Sequence, residues 1–130
     1  MANEARSKVL VAEDDPLLAA TVDDFLTQEG FCVAVSANGQ DALEAASRMP
    51  ISVLLTDLRM PRLDGVALVR KLRETRPELP VVVMTGYAPA DWRSTLQHPG
   101  EGPLILLDKP IRLANLLRAL REVLRPAGAT

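Results

Sequence analysis

A small set of residues carries side chains that could act together on a charged substrate, and each of them ends or follows an aliphatic run. Glu13, Asp14 and Asp15 come directly after Lys8–Ala12, Asp57 follows Ile51–Thr56, Thr85 ends Val81–Thr85, and Lys109-Pro110 follows Leu104–Leu107. Singly, each has an ordinary role. An acid after a strand is usually a helix cap or turn residue, a Lys before Pro is a solvated loop residue, and Thr at a strand end is equally plain. Together they describe a mechanism. Carboxylates brought close repel one another, so a site built from them needs a cation. Oxygen donors with no His or Cys nearby favour Mg²⁺, which keeps waters and binds through few carboxylates plus a phosphate. An aspartate beside such an ion can attack a phosphoryl group and become an aspartyl phosphate. In that chemistry the metal and the Lys109 ammonium would neutralise charge on the phosphoryl oxygens, and Thr85 could donate a hydrogen bond to one of them.

The elements that must gather these residues are written as a repeated alternation. Lys8–Ala12 reads as a strand, and Asp15-Pro16 supplies a helix N-cap with proline in the first turn. Leu18, Val22, Phe25 and Leu26 follow at helical spacing until Gly30 stops the helix. Phe31–Ser36 is the second strand, after which Asn38 caps a helix with Ala42, Leu43 and Ala46 inward, closed by Pro50. The third strand, Ile51–Thr56, runs into the loop Asp57-Leu58-Arg59-Met60-Pro61. Asp64 caps a helix carrying Val66, Val69 and Leu72, which Pro77 and Pro80 close, and Val81–Thr85 is the fourth strand. From Gly86 to Pro103 the pattern is weakest: Pro89 is read as opening a short helix with Trp92 and Leu96, ended by His98-Pro99-Gly100. Leu104–Leu107 is the fifth strand, and Leu113, Leu116, Leu117, Leu120, Val123 and Leu124 give the last helix its apolar face. Arg125-Pro126-Ala127-Gly128 reads as a frayed end or the start of a linker. Five strands alternating with five helices imply right-handed crossovers and a doubly wound parallel sheet, whose ligands bind outside the carboxyl ends of the strands.

Composition agrees with that architecture. The 130 residues suit one domain, 1–130, with an ordered core over about 7–125 and short flexible tails. Hydrophobic residues make up 48% and aromatics 3%, so the core must be built from Val, Leu, Ile and Ala, as in a buried parallel sheet. The net charge of −2, from 15 basic and 17 acidic residues mixed along the chain, offers no basic stripe for nucleic acid. The single cysteine, Cys32, excludes an internal disulfide, fits a reducing compartment, and reads as a small core hydrophobe beside Phe31. No apolar stretch reaches the ~20 residues of a membrane span and no signal peptide is present, so a soluble, cytoplasmic domain without membrane contact is expected.

Four ordered motifs then carry a family resemblance over nearly the whole chain. Val9-Leu10-Val11-Ala12-Glu13-Asp14-Asp15-Pro16, Thr56-Asp57-Leu58-Arg59-Met60-Pro61 with Asp64-Gly65, Val83-Met84-Thr85-Gly86, and Lys109-Pro110 resemble the receiver domains of two-component response regulators. The resemblance implies a flavodoxin-like five-stranded parallel sheet of order 2-1-3-4-5 with five helices. It implies that Asp57 is the phosphoacceptor, Thr85 the switch hydroxyl and Lys109 the family's site lysine. The implied metal site is Mg²⁺ held by Glu13, Asp14, Asp57 and the backbone carbonyl of Arg59, with Asp14 a direct ligand. Asp15 lies one position past the acidic pair and stays a helix cap. A cis peptide before Pro110 is implied as well. The implied activity is phosphoryl uptake from a histidine kinase or histidine phosphotransfer protein, which switches binding to a downstream protein partner. Such a chain is an autocatalytic phosphoacceptor and not an enzyme with turnover, and it is compatible with slow self-dephosphorylation and with a homodimer.

Three departures separate the chain from the family pattern. Leu106 stands where Tyr or Phe usually precedes the lysine by three, Gly100-Glu101-Gly102-Pro103 replaces the usual Gly-Ala turn, and the Thr-to-Lys separation is slightly longer. Thr85-Gly86-Tyr87-Ala88 with Leu106-Leu107-Asp108-Lys109-Pro110 looks like the receivers of hybrid sensor kinases. The chain is therefore either a stand-alone regulator or part of a longer protein. Leu106 also keeps open a degenerate receiver that acts as a phosphate-independent docking module. An aspartate-nucleophile phosphatase would need a second acid where Arg59 stands, and a flavin-binding fold would need a Ser/Thr/Gly phosphate loop after the first strand. His98 is isolated and reads as a surface residue. Trp92 and Tyr87 read as half-buried packing or a partner patch, and Arg118, Arg121 and Arg125 as a solvated face or a partner contact.

Overall fold

The computed structural model describes residues 7–97 and 102–125. Five short aliphatic strands lie parallel in one sheet: β1 (Lys8–Ala12), β2 (Cys32–Ser36), β3 (Val53–Asp57), β4 (Val81–Thr85) and β5 (Leu104–Asp108). Their order is β2-β1-β3-β4-β5, the flavodoxin-like order that the motifs imply. The helices between and after them are α1 (Pro16–Gln28), α2 (Gly39–Arg48), α3 (Gly65–Thr75), α4 (Trp92–Gln97) and α5 (Leu113–Leu124).

Strand alternation divides the core in two. Val9, Val11, Val53, Leu55, Val82 and Met84 point to one side and pack with Val22 and Leu26 of α1 and Leu116, Leu120 and Val123 of α5. Leu10, Ala12, Leu54, Val81 and Val83 point to the other, against Ala42 and Ala46 of α2, Leu68, Val69 and Leu72 of α3 and Leu96 of α4. Every residue of β3 and β4 is buried, whereas β2 and β5 are only partly covered because they form the edges. Leu104 and Leu106 pack on the second side of the core, Ile105 and Leu107 on the first.

The helix starts follow the capping residues named from the sequence. Asp15 accepts from the backbone N–H groups of Leu17 and Leu18 at 3.0 and 3.4 Å, Asn38 from Asp41 at 2.8 Å, and Asp64 from Ala67 at 2.9 Å. Such caps satisfy donors that have no partner within the helix. The Lys109–Pro110 peptide is cis. Among the described residues no helix is long and apolar enough to cross a membrane.

Several expectations are corrected. Cys32 is exposed and not a core residue: Phe31 takes the buried position, and alternation turns the next side chain of this edge strand outward. Strand β3 begins at Val53, later than Ile51, and includes Asp57, and β5 extends to Asp108. Pro89 does not open α4; it sits in the preceding turn, where its carbonyl accepts from Trp92 N–H at 3.1 Å. His98-Pro99-Gly100, Glu101 and the tail from Pro126 lie outside the described residues.

One buried group was not anticipated. Arg73, in the last turn of α3, is 1% exposed, and its Nη2 donates to the carbonyls of Leu79, Gly102 and Pro103 at 2.9, 2.9 and 3.1 Å. The side chain thereby ties α3 to the starts of β4 and β5. Gly102 fits there because a Cβ would lie 2.6 Å from the backbone of Glu78 and Leu79.

Candidate functional site

In this sheet the chain leaves β1 toward β2 on one side and β3 toward β4 on the other, so a crevice opens between the carboxyl ends of β1 and β3. Glu13 and Asp14 follow β1, Asp57 ends β3, Thr85 ends β4 and Lys109 follows β5. Parallel register puts these ends on one edge: Ala12 is level with Thr56, Asp57 with Met84, and Thr85 with Asp108.

Three carboxylates meet at that edge. Glu13, Asp14 and Asp57 each offer an oxygen, and these oxygens lie within 4.8 Å of one another. Glu13 is 2% exposed and Asp57 7%, while Asp14 faces solvent. Lys109 reaches in from the fifth strand, its Nζ 2.6 Å from Asp57 Oδ2 and 3.1 Å from Glu13 Oε1. The other oxygens of Glu13 and Asp57 are held by backbone donors. Asp15 N–H donates to Glu13 Oε2 at 3.0 Å, and Arg59 N–H to Asp57 Oδ1 at 3.1 Å. The Asp57 side chain is thus fixed between a main-chain amide and an ammonium.

The electrostatics follow from burial and pairing. Desolvation raises the Glu13 carboxyl above its ordinary value, and the repulsion from Asp57 adds to it, against the lowering pull of Asp15 N–H and Lys109. Burial alone would depress the Lys109 ammonium, but its hydrogen bonds and attraction to Asp57 and Glu13 outweigh that and raise it. The acid pair and the lysine therefore hold each other in place as opposite charges.

The donor set fits a hard divalent cation. It is all oxygen, it is gathered from two strand ends, and one of its acids faces water, as suits an ion that keeps part of its hydration shell. For Arg59 the structure records the backbone N–H on Asp57; its carbonyl as a ligand stays an implication of the resemblance.

Thr85 is brought to the same edge but turns elsewhere. Its backbone carbonyl accepts from Lys109 N–H at 2.7 Å, while its hydroxyl, 1% exposed as a residue, donates to Tyr87 O at 2.9 Å and accepts from Tyr87 N–H at 3.2 Å. Tyr87 is 63% exposed, with the Arg59 guanidinium 5.6 Å from its ring centroid. Trp92 is half-buried against the core, and Arg93 stacks on it at 4.7 Å. The α5 arginines keep to solvent, with Arg121 3.8 Å from Glu29.

Two supporting features escaped the sequence reading. A side chain at Gly65 would collide with the Asp57 carbonyl and Leu58, and Gly65 N–H donates to Leu58 O at 2.9 Å, so the start of α3 rests directly on the loop after Asp57. The Asp64-Gly65 pair was visible as a cap, but the close approach was not. Thr56 Oγ1, buried, donates to Asp57 O at 2.8 Å; a hydroxyl inside a strand gives no signal of its target.

Comparison with known proteins places the chain among similar ones. Residues 9–121 match the family model described as the response regulator receiver domain. The response regulator receiver protein CpdR of Brucella abortus is 32% identical over 90% of this chain and 96% of its own length. The transcriptional regulatory protein PrrA of Mycobacterium tuberculosis is 32% identical over 95% of this chain, which spans 52% of that protein. Among solved structures, the receiver domain of the sensor histidine kinase PA1611 from Pseudomonas aeruginosa, described with a magnesium ion coordinated in its active-site cleft, is 28% identical. It superposes with a TM-score of 0.78 over 91% of this chain and 97% of that one.

Proposed function

The chain belongs to the response regulator receiver domain family, and from that premise we propose that it takes a phosphoryl group on Asp57 in a Mg²⁺-dependent reaction and so switches its binding to another protein. The observation that carries this reading is the contact of Lys109 Nζ with both Asp57 and Glu13, at 2.6 and 3.1 Å, inside a trio of carboxylates. Glu13, Asp14 and Asp57 would hold the ion, as the magnesium in the receiver of the similar kinase suggests. When bound, Mg²⁺ supplies positive charge against the phosphoryl oxygens and lets the acids sit together.

The protein's own residues do the rest. An Asp57 carboxylate oxygen attacks phosphorus, the new O–P bond forms, and the bond from phosphorus to the donor's leaving atom breaks with its electron pair. The donor is a phosphohistidine of a kinase or phosphotransfer protein, or a small acyl phosphate. Arg59 N–H holds one Asp57 oxygen and so aims the other. Lys109 then exchanges a carboxylate oxygen for a phosphoryl oxygen, and Thr85 donates to a second. The group stays on the protein until water removes it, so the chain is an acceptor rather than a turnover enzyme. A partner carrying the phosphohistidine would dock on the groove beside the acids, lined by Pro16, Ala19, Ala20 and Val35, where Val35 is 43% exposed. We place this exchange in the cytoplasm.

Mass spectrometry after incubation with acetyl phosphate and Mg²⁺ tests the proposal. One phosphoryl adduct is expected on the wild type and none on Asp57→Asn. Equal labelling of the two would overturn the assignment, and no labelling of either would leave a phosphate-independent docking module.

A further inference from the structure

A hydroxyl has one proton to give. In Thr85 that proton goes to the Tyr87 carbonyl at 2.9 Å, and the oxygen also accepts from the Tyr87 N–H at 3.2 Å. Thr85 cannot keep donating to Tyr87 and also donate to a phosphoryl oxygen on Asp57. Tyr87 has a second tether from the acceptor side, the Arg59 guanidinium 5.6 Å from its ring, two residues beyond Asp57 and on the loop whose N–H holds the Asp57 carboxylate. Between Thr85 and Tyr87 stands Gly86, where even an added Cβ would meet nothing within 4 Å. The loop is therefore unpacked at the residue that would have to turn. Leu106, by contrast, is half-buried on the second side of the core and has no polar group to exchange.

We infer that Tyr87 is the aromatic that carries the state of Asp57 to the surface: Thr85 and Arg59 hold it while Asp57 is free, and it is released when the Thr85 hydroxyl turns to donate to a phosphoryl oxygen. The inference rests on phosphoryl uptake by Asp57 and adds to it the element that responds. The coupling is reciprocal, because a ligand that loosens a contact binds more tightly once that contact is gone. Removing the ring while keeping the Tyr87 backbone should strengthen binding of a phosphoryl mimic. The factor is roughly two- to fivefold, which is what an exposed cation–π contact of ~0.5–1 kcal/mol represents.

Tyr87 is the only tyrosine in the chain, so 3-fluorotyrosine gives a single fluorine line that reports on it. With Mg²⁺ and beryllofluoride the line should shift by more than its width, and the bound fluorides appear in the same spectrum. Thr85→Val should place the line at its released position before any mimic is added. Tyr87→Leu should bind beryllofluoride more tightly by the factor above. Bound beryllofluoride with an unmoved tyrosine line overturns the coupling alone, as does a Thr85→Val line that still starts at the wild-type position and shifts like it. Unchanged affinity in Tyr87→Leu removes the Arg59 tether and overturns the inference in its stated form. Absence of both bound beryllofluoride and phosphoryl uptake from acetyl phosphate overturns the functional reading, and this inference with it.

Discussion

Glu13 is buried and Lys109 half-buried against it, and both are shifted upward, for different reasons. Lys109 holds its proton more tightly in the folded chain than its ordinary value of 10.5, so its contribution to stability is complete below that value and is lost as pH rises through the higher folded one. Glu13, raised above 4.5 by desolvation, works the other way at neutral pH: once ionised it opposes folding, and the ammonium offsets that. In the metal-free protein, the stability advantage of wild type over Lys109→Gln should therefore hold through neutral pH and shrink above 10.5. Urea unfolding of both proteins across alkaline pH measures that difference, and a gap that stays constant would remove the pairing as its cause. The identities of the site residues were legible because the acids and the lysine come directly after aliphatic runs. What each side chain bonds to was not. The Arg59 N–H on Asp57 and the Tyr87 backbone on Thr85 are main-chain partners, and a main chain is the same at every residue.

At the scale of elements, the helix caps and central strands could be read because each rests on a local rule. Asp15, Asn38 and Asp64 precede apolar periodicity, and Val81–Thr85 is an unbroken aliphatic run. The failures lie where local pattern meets a neighbour. Cys32 is in an apolar run yet faces out, since β2 is an edge and Phe31 already fills the core. Arg73 is the converse. It falls four residues after Val69, on the buried stripe of α3, yet it was not singled out in the sequence. The periodicity alone would have found it. Its Nη2 alone is the tie between α3 and the starts of β4 and β5. Arg73→Met should lower stability by about 2–4 kcal/mol, because buried carbonyls lose their donor. Arg73→Lys keeps a cation but ends short of the Nη2 position, so it should recover only part of this. Chemical denaturation with unchanged slope would check both, and a Met variant as stable as wild type would show the carbonyls find other donors.

For the whole molecule, alternation of strand and helix was enough to predict a doubly wound parallel sheet, because crossovers of one hand leave few other arrangements. It did not say which strands lie at the edges; that order came with the family motifs, and the partial cover of β2 and β5 bears it out. The tie between distant ends of the chain at the site has a further consequence. Lys109 is separated from Glu13 by 96 positions and from Asp57 by 52, yet folding holds its ammonium against both. A tethered cation has an effective concentration that dilution cannot lower. A free ion entering the same acids must compete with it, so the domain carries a built-in competitor that sets how much Mg²⁺ the surroundings must provide before the site fills. Lys109→Gln should therefore bind Mg²⁺ more tightly, by about fivefold or more, since two unit charges about 4 Å apart repel by ~1 kcal/mol even in bulk water. Calorimetric titration of Mg²⁺ into both proteins measures the factor. Equal affinities would mean that the lysine swings clear of an arriving ion and sets no threshold.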